Sequence, residues 1–177
     1  MRNHAIVLTG APASGKTACF EALKTDPKFA GFVFFDELAR QLLEKNPEYR
    51  FHSDDFHREI YRLQVQREDE IIDKSFITDR GTLDGFSFCP HLIGTIGTSI
   101  EKEYQRYTAV IQLGSTAALG SEYYEKDVIR TESIEKVMEL EEATKKIWGK
   151  HNNYRLLPAE MDFEKKILKL KKIMSFL

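Results

Sequence analysis

The sequence predicts an α/β protein, a three-layer α/β/α sandwich built on a five-stranded parallel sheet. Three features lead there: short unbroken apolar runs, amphipathic segments between them, and a glycine-rich turn directly after the first run. An apolar run with no alternation suits a strand covered on both faces, as parallel strands are. Strands that alternate with helices imply right-handed crossovers, which place helices on both sides of the sheet.

The elements follow in chain order. Ala5-Ile6-Val7-Leu8 is the first buried strand, and a loop leads into a helix from about Gly15 to Lys24. Phe32-Val33-Phe34-Phe35 is a second buried strand, followed by a helix from about Glu37 to Lys45. Phe56 to Asp73 has amphipathic helical spacing, and Ser75-Phe76-Ile77-Thr78 forms a third strand ending at Asp79. A short helix near Leu83 to Phe88 precedes a turn region around Gly94 and Gly97, and Tyr107 to Leu113 is the fourth strand. Ser133 to Trp148 is a helix, and Tyr154-Arg155-Leu156-Leu157 a short fifth strand. Phe163, Ile167, Leu170, Met174 and Leu177 then mark one apolar stripe of a last helix. The five lysines between Glu164 and Lys172 fall on its solvated side, which we weigh above an anionic-membrane surface.

The 177 residues fit a single domain over 1–177. With 42% hydrophobic and 31% charged residues the chain is neither disordered nor unusually polar. A net charge of −2 supplies no field for nucleic acid, which is not an expected partner. Cys19 and Cys89 match no paired-ligand spacing, and Cys19 reads as a small buried apolar residue. The start of the chain runs into a strand without a signal peptide, and no apolar stretch approaches the ~20 residues of a membrane span. The expected location is the cytoplasm; composition leaves the oligomeric state open.

Gly10-Ala11-Pro12-Ala13-Ser14-Gly15-Lys16-Thr17 matches the pattern G-x-x-x-x-G-K-[ST] in full, between an apolar strand and a helix. Each part has a physical reason. Glycines let the backbone wrap closely enough for successive N–H groups to meet an anion. The helix that begins there, through Ala18, adds its positive end. Lys16 brings a mobile charge for the outer phosphates of a nucleoside triphosphate, ATP or GTP, and Thr17 a hydroxyl for Mg²⁺. Gly10 to Ala18 is thus the expected nucleotide-binding segment.

Such a cradle needs an acid for the metal, and two apolar strands end in one. Asp36 follows Lys16 by only twenty residues, one crossover later. In a doubly wound sheet of the kinase type the third strand lies beside the first, which puts Asp79 next to Thr17. Asp79 is therefore assigned to Mg²⁺ together with Thr17, and the Asp36/Glu37 pair to the side of an acceptor. There a carboxylate can take the proton of an attacking hydroxyl; alternatively either acid simply satisfies the start of a helix. Between the fourth strand and the next helix, Tyr123 to Arg130 is polar and suits a lid over 120–132. Arg130 then either neutralises the transferring phosphoryl or pairs with Glu132 or Glu135 in solvent. Asp84 is an acceptor-site carboxylate or a helix-cap acid.

Weaker features read structurally. His52-Ser53-Asp54-Asp55-Phe56-His57 has no metal spacing and suits a solvated helix start. Phe56, Tyr61, Gln64 and Arg67 have the spacing of a packed helix, although the same helix could border an acceptor pocket.

Together these segments resemble the AAA-type ATPase/kinase-like group that includes the NadR-type ribosylnicotinamide kinase domain. The resemblance rests on the glycine-rich cradle, on Asp36-Glu37-Leu38-Ala39-Arg40 after the second strand, on Asp79-Arg80-Gly81-Thr82-Leu83-Asp84-Gly85, and on Arg130-Thr131-Glu132-Ser133 before a long helix. It spans about residues 5 to 170. It implies a nucleoside-kinase-like core, with Asp79 near Mg²⁺, Arg80 and Arg130 on phosphates, and Glu37 facing the acceptor. The expected activity is transfer of a γ-phosphoryl from ATP to a small hydroxylated, nucleoside-like metabolite, with Lys16, Asp36, Glu37, Asp79, Arg80 and Arg130 as catalytic candidates. The alternative is an ATP- or GTP-binding hydrolase or switch module acting through a protein or lipid partner. The chain has no N-K-x-D segment of the kind that reads guanine.

Overall fold

The computed structural model describes residues 4–51, 53–71, 73–120 and 133–177. Five strands, β1 (Ala5–Thr9), β2 (Val33–Phe35), β3 (Phe76–Asp79), β4 (Ala109–Leu113) and β5 (Tyr154–Leu157), form one sheet in the order β2-β3-β1-β4-β5. Every pairing is parallel, with Leu8 opposite Asp79 on one side of β1 and opposite Ile111 on the other. The five-stranded parallel sheet and flanking helices form the three-layer α/β/α fold.

The side-chain period of two along a strand divides the core between the faces. Ile6, Leu8, Ile77 and Ile111 pack with Cys19, Phe20 and Leu23 of α1 (Lys16–Lys24) and with Leu170 and Met174 of α7 (Phe163–Met174). Val7, Phe76 and Val110 pack on the other face, with Phe86 of α4 (Asp84–Phe88) and Trp148 of α6 (Ile134–Trp148). α2 (Leu38–Lys45) and α3 (Ser53–Asp69) fill the long connection from β2 to β3, and α5 (Ile100–Tyr104) precedes β4.

β2 is less buried than its apolar sequence suggests because it is an edge strand. Phe34 meets Phe20 edge-on at 5.5 Å, and the Arg67 guanidinium covers the Phe35 ring at 4.8 Å. α5 is a helix where only turns were expected; Ser99 starts it by accepting from the Lys102 amide, beyond Gly97 with its φ of 74°. The stripe of α7 is also rotated from the expected one. Phe163 is exposed, whereas Lys166, Leu170 and Met174, at successive intervals of four, are buried. Among the described residues no helix is long and apolar enough to cross a membrane.

Candidate active site at the carboxyl ends of β1 and β3

The cradle joins β1 to α1. Gly10 has φ 154°, and a Cβ there would stand 2.6 Å from the Leu113 carbonyl oxygen, so no side chain fits. Gly15, at the N-cap of α1, and Ala13 occupy the left-handed region at φ 69° and 59°. Several cradle carbonyls are held from behind. Pro12 O accepts from Ser115 Oγ at 2.7 Å, Ala13 O from the Thr116 amide at 3.1 Å, and Ser14 O from Lys166 Nζ at 2.7 Å. In a trans peptide the N–H points opposite to the C=O. Carbonyls fixed behind at Pro12 and Ser14 therefore aim the amides of Ala13 and Gly15 forward.

Lys16 opens α1 and is only 6% exposed; its Nζ donates to Asp79 Oδ1. The β1–β3 register brings this about, because it sets Asp79 beside Leu8 at the strand ends. Burial pushes the Asp79 carboxyl above the ordinary carboxylate range, Lys16 pulling against the shift and Glu37 adding to it. Thr17 and Ala18, next along α1, are exposed.

Glu37 stands one strand further out. It is the N-cap of α2 yet makes no side-chain cap hydrogen bond. Instead its Oε1 accepts from Arg80 Nε at 2.8 Å. Burial alone would raise its pKa, but Arg80, then Lys16, outweigh burial and hold it at about 2. Arg80 adopts φ 72°, with its amide donating to Leu8 O at 2.9 Å and its carbonyl accepting from Thr78 Oγ1 at 2.7 Å.

Asp36 does not join this group. It is about half exposed, pairs with Lys24 of α1, and offers its carbonyl to Arg67. Asp84 is buried and fully engaged: it accepts from Thr9, the Gly81 amide, Trp148 Nε1 and, at 3.4 Å, Arg80. Gln64 bonds Glu68 and Thr78, and His57 packs on Phe88 and beside Gly85, so these α3 residues serve packing. Of the lid expected over 120–132, residues 121–132, Arg130 among them, lie outside the described residues, as does His52.

Sequence reasoning missed Ser115, Thr116 and Lys166, which hold the cradle from behind. A signal for Lys166 was present, since it is spaced by four from Leu170 and by eight from Met174.

The donor set suits Mg²⁺ bound with a polyphosphate. Asp79 is a buried carboxylate paired with Lys16, Thr17 follows Lys16 and is exposed, and among the described residues no three Asp, Glu, His or Cys side chains cluster as a metal cage. Mg²⁺ commonly takes one or two carboxylates and completes its octahedron with waters and phosphate oxygens.

Three comparisons bear on this geometry. No curated protein matches the chain by sequence. Among solved structures, deoxyadenosine kinase from M. mycoides with bound dATP superposes with a TM-score of 0.62 at 16% identity, over 98% of this chain and 100% of that one. The same kinase with products dCMP and dCDP gives 0.60 at 14% identity, and with bound dCTP 0.58 at 14%, with the same coverage. At such identities the likeness is one of fold. A family model described as an AAA domain matches residues 5–166. The chain therefore belongs to the AAA domain family, as an enzyme of the P-loop kinase or NTPase type.

Proposed function

We propose that the protein is a Mg²⁺-dependent kinase that transfers the γ-phosphoryl of ATP to a hydroxyl of a nucleoside-like metabolite. The observation that carries this reading is the Glu37–Arg80 pair at the ends of β2 and β3, within electrostatic reach of the Lys16–Asp79 pair. With neighbouring strands ~4.8 Å apart, the end of β2 lies roughly 10 Å from that of β1. An offset of that order suits an organic acceptor set between Glu37 and the phosphates better than a single hydrolytic water. The fold likeness to a nucleoside kinase and the resemblance of Glu37 to Arg40 and Asp79 to Gly85 to the ribosylnicotinamide kinase type support a nucleoside-like acceptor.

The residues then divide the work. Cradle amides and Lys16 bind the β- and γ-phosphate oxygens, Lys16 leaving Asp79 as they arrive. Asp79 and Thr17 hold Mg²⁺, which when bound neutralises charge on the transferring oxygens. Glu37, ionised at neutral pH, accepts a hydrogen bond from the acceptor hydroxyl and orients it. Its low pKa makes it a weak base, which suffices where the transition state is loose and the hydroxyl proton leaves late. Arg80 stays beside Glu37 and offsets the charge of the phosphoryl in flight. Arg130 is assigned to the transferring phosphoryl as well, on the sequence resemblance alone.

The test is ATP consumption with Mg²⁺ against nucleosides, deoxynucleosides, ribosylnicotinamide and other small alcohols, with Lys16→Ala as control. Turnover that requires one acceptor class and disappears in the variant supports the kinase. Hydrolysis at one slow rate whatever is added would overturn it in favour of a hydrolase or switch.

A further inference from the structure

Lys166 lies in the first half of α7, 152 residues after the cradle, and is 2% exposed. Its Nζ donates to Ser14 O at 2.7 Å and to Gly114 O at 3.1 Å. Gly114 marks where the chain leaves β4 beside the β5–α7 connection; a Cβ there would be 2.6 Å from the Ala159 amide nitrogen. One ammonium thus ties α7 both to the cradle and to the turn that follows β4.

Its charge has no carboxylate in contact, and Glu141 and Glu160 act on it only at longer range. Among the described residues no carboxylate lies within the 4.0 Å of an ion pair with Lys166, whereas Lys16 has Asp79. The ammonium also sits under the start of α1: a Cβ on Gly15 would be 3.9 Å from Nζ. A helix start already carries partial positive charge from its N–H groups. A second positive charge behind it is unfavourable until an anion arrives in front. Burial pushes the Lys166 ammonium below its ordinary range, with Glu141 and Glu160 pulling against the shift. Carbonyl contacts alone explain a peg; a positive charge behind a helix start with no carboxylate in contact is one that an anion in front of the cradle would relieve.

We propose that Lys166 is a positioning residue for the phosphate cradle: it fixes the Ser14 carbonyl backward, so the Gly15 amide faces the anion, and adds unpaired positive charge for a nucleoside triphosphate. It touches no phosphate and acts through the backbone. The inference rests on nucleotide binding by this cradle and not on the identity of any acceptor.

The experiment is calorimetric titration of the full chain with MgATP and, separately, with adenosine, for wild type, Lys166→Arg, Lys166→Gln and Lys166→Met, each with a thermal melt. Lys166→Gln keeps one amide donor for a carbonyl but no charge, and stands in if Lys166→Met does not fold. The expected result is about a tenfold or greater loss of MgATP affinity in the Gln and Met variants, with Lys166→Arg within about threefold of wild type and adenosine affinity unchanged throughout. A purely structural peg would weaken both ligands together or neither. MgATP affinity in Lys166→Gln within about twofold of wild type, or an equal loss for adenosine, overturns the proposal. A wild-type chain that does not bind MgATP overturns the nucleotide reading, and this inference with it.

Discussion

Arg80 holds its place in a backbone conformation that side chains ordinarily avoid, at a cost of ~1–2 kcal/mol. The ladder bond to Leu8, the Thr78 hydroxyl and the carboxylates of Glu37 and Asp84 offset it. Replacing Glu37 by Gln should therefore act on chemistry before binding. We expect kcat to fall by about 10²-fold or more, with MgATP affinity within about threefold of wild type, read from turnover and titration together. The same substitution has a pH signature. Glu37 titrates at about 2 in the fold, below the unfolded carboxylate, so its stabilisation is complete above the unfolded pKa of ~4.3 and is lost as pH falls through about 2. Melts from pH 6 downward should show wild type above Glu37→Gln at pH 6 and the gap closing toward pH 2; a constant gap would contradict the assignment. Asp84 differs, because its four donors leave no free lone pair for an acceptor. Asp84→Asn turns its NH₂ toward two of those donors, whichever oxygen it replaces, and removes charge beside Arg80, so a loss of roughly 2–4 kcal/mol is expected in denaturant unfolding.

The turn between β3 and α4 is held by contact as much as by hydrogen bonds. A Cβ on Gly81 would stand 2.9 Å from Val7 Cγ2 and 3.0 Å from the Trp148 ring, wedging the turn off the sheet. Gly81→Ala should cost about 1–3 kcal/mol and lower Tm by roughly 2–4 °C per kcal/mol. Gly31→Ala, where nothing lies within 4 Å, should leave Tm nearly unchanged in the same melts. The segment Asp79 to Gly85 was visible in the sequence, as were all five strands and the cradle, because apolar runs and the glycine pattern are local signals. What stayed hidden depends on neighbours. Asp36 and Glu37 are adjacent at a strand end, so their side chains diverge, and the sequence does not say which one faces in. Lys24, in the last turn of α1, draws Asp36 outward, and Arg80 draws Glu37 inward. The burial of Lys166 is likewise set by two carbonyls from other segments, whereas its sequence context is a run of solvated lysines. α3 begins at Ser53 and not Phe56, since Asp54 and Asp55 suit a helix's first turn, which an apolar-spacing criterion passes over.

Across the whole molecule the cradle is the point where separate parts of the fold meet: β1 and β3 through Lys16 and Asp79, the turn after β4 through Ser115, and α7 through Lys166. A ligand bound there is linked to global stability. At a hundredfold excess over Kd, MgATP should add about 2.7 kcal/mol, raising Tm by roughly 5–10 °C. Lys16→Ala should abolish this rise, and its ligand-free stability should itself depend on pH. Lys16 is the charge that opposes the upward shift of the buried Asp79 carboxyl. Without it Asp79 rises further above its unfolded value, and the fold then takes up a proton more readily than the unfolded chain does. For an acid shifted upward, stability is present at low pH and lost as pH rises through the folded pKa. The deficit of Lys16→Ala relative to wild type, measured by melts without nucleotide, should therefore be large at pH 8 and shrink toward pH 5. A deficit that instead grew on acidification would mean that Asp79 stays ionised without its lysine. Lys16 would then be a ligand for phosphate alone and not also the counter-ion that keeps the empty cradle folded.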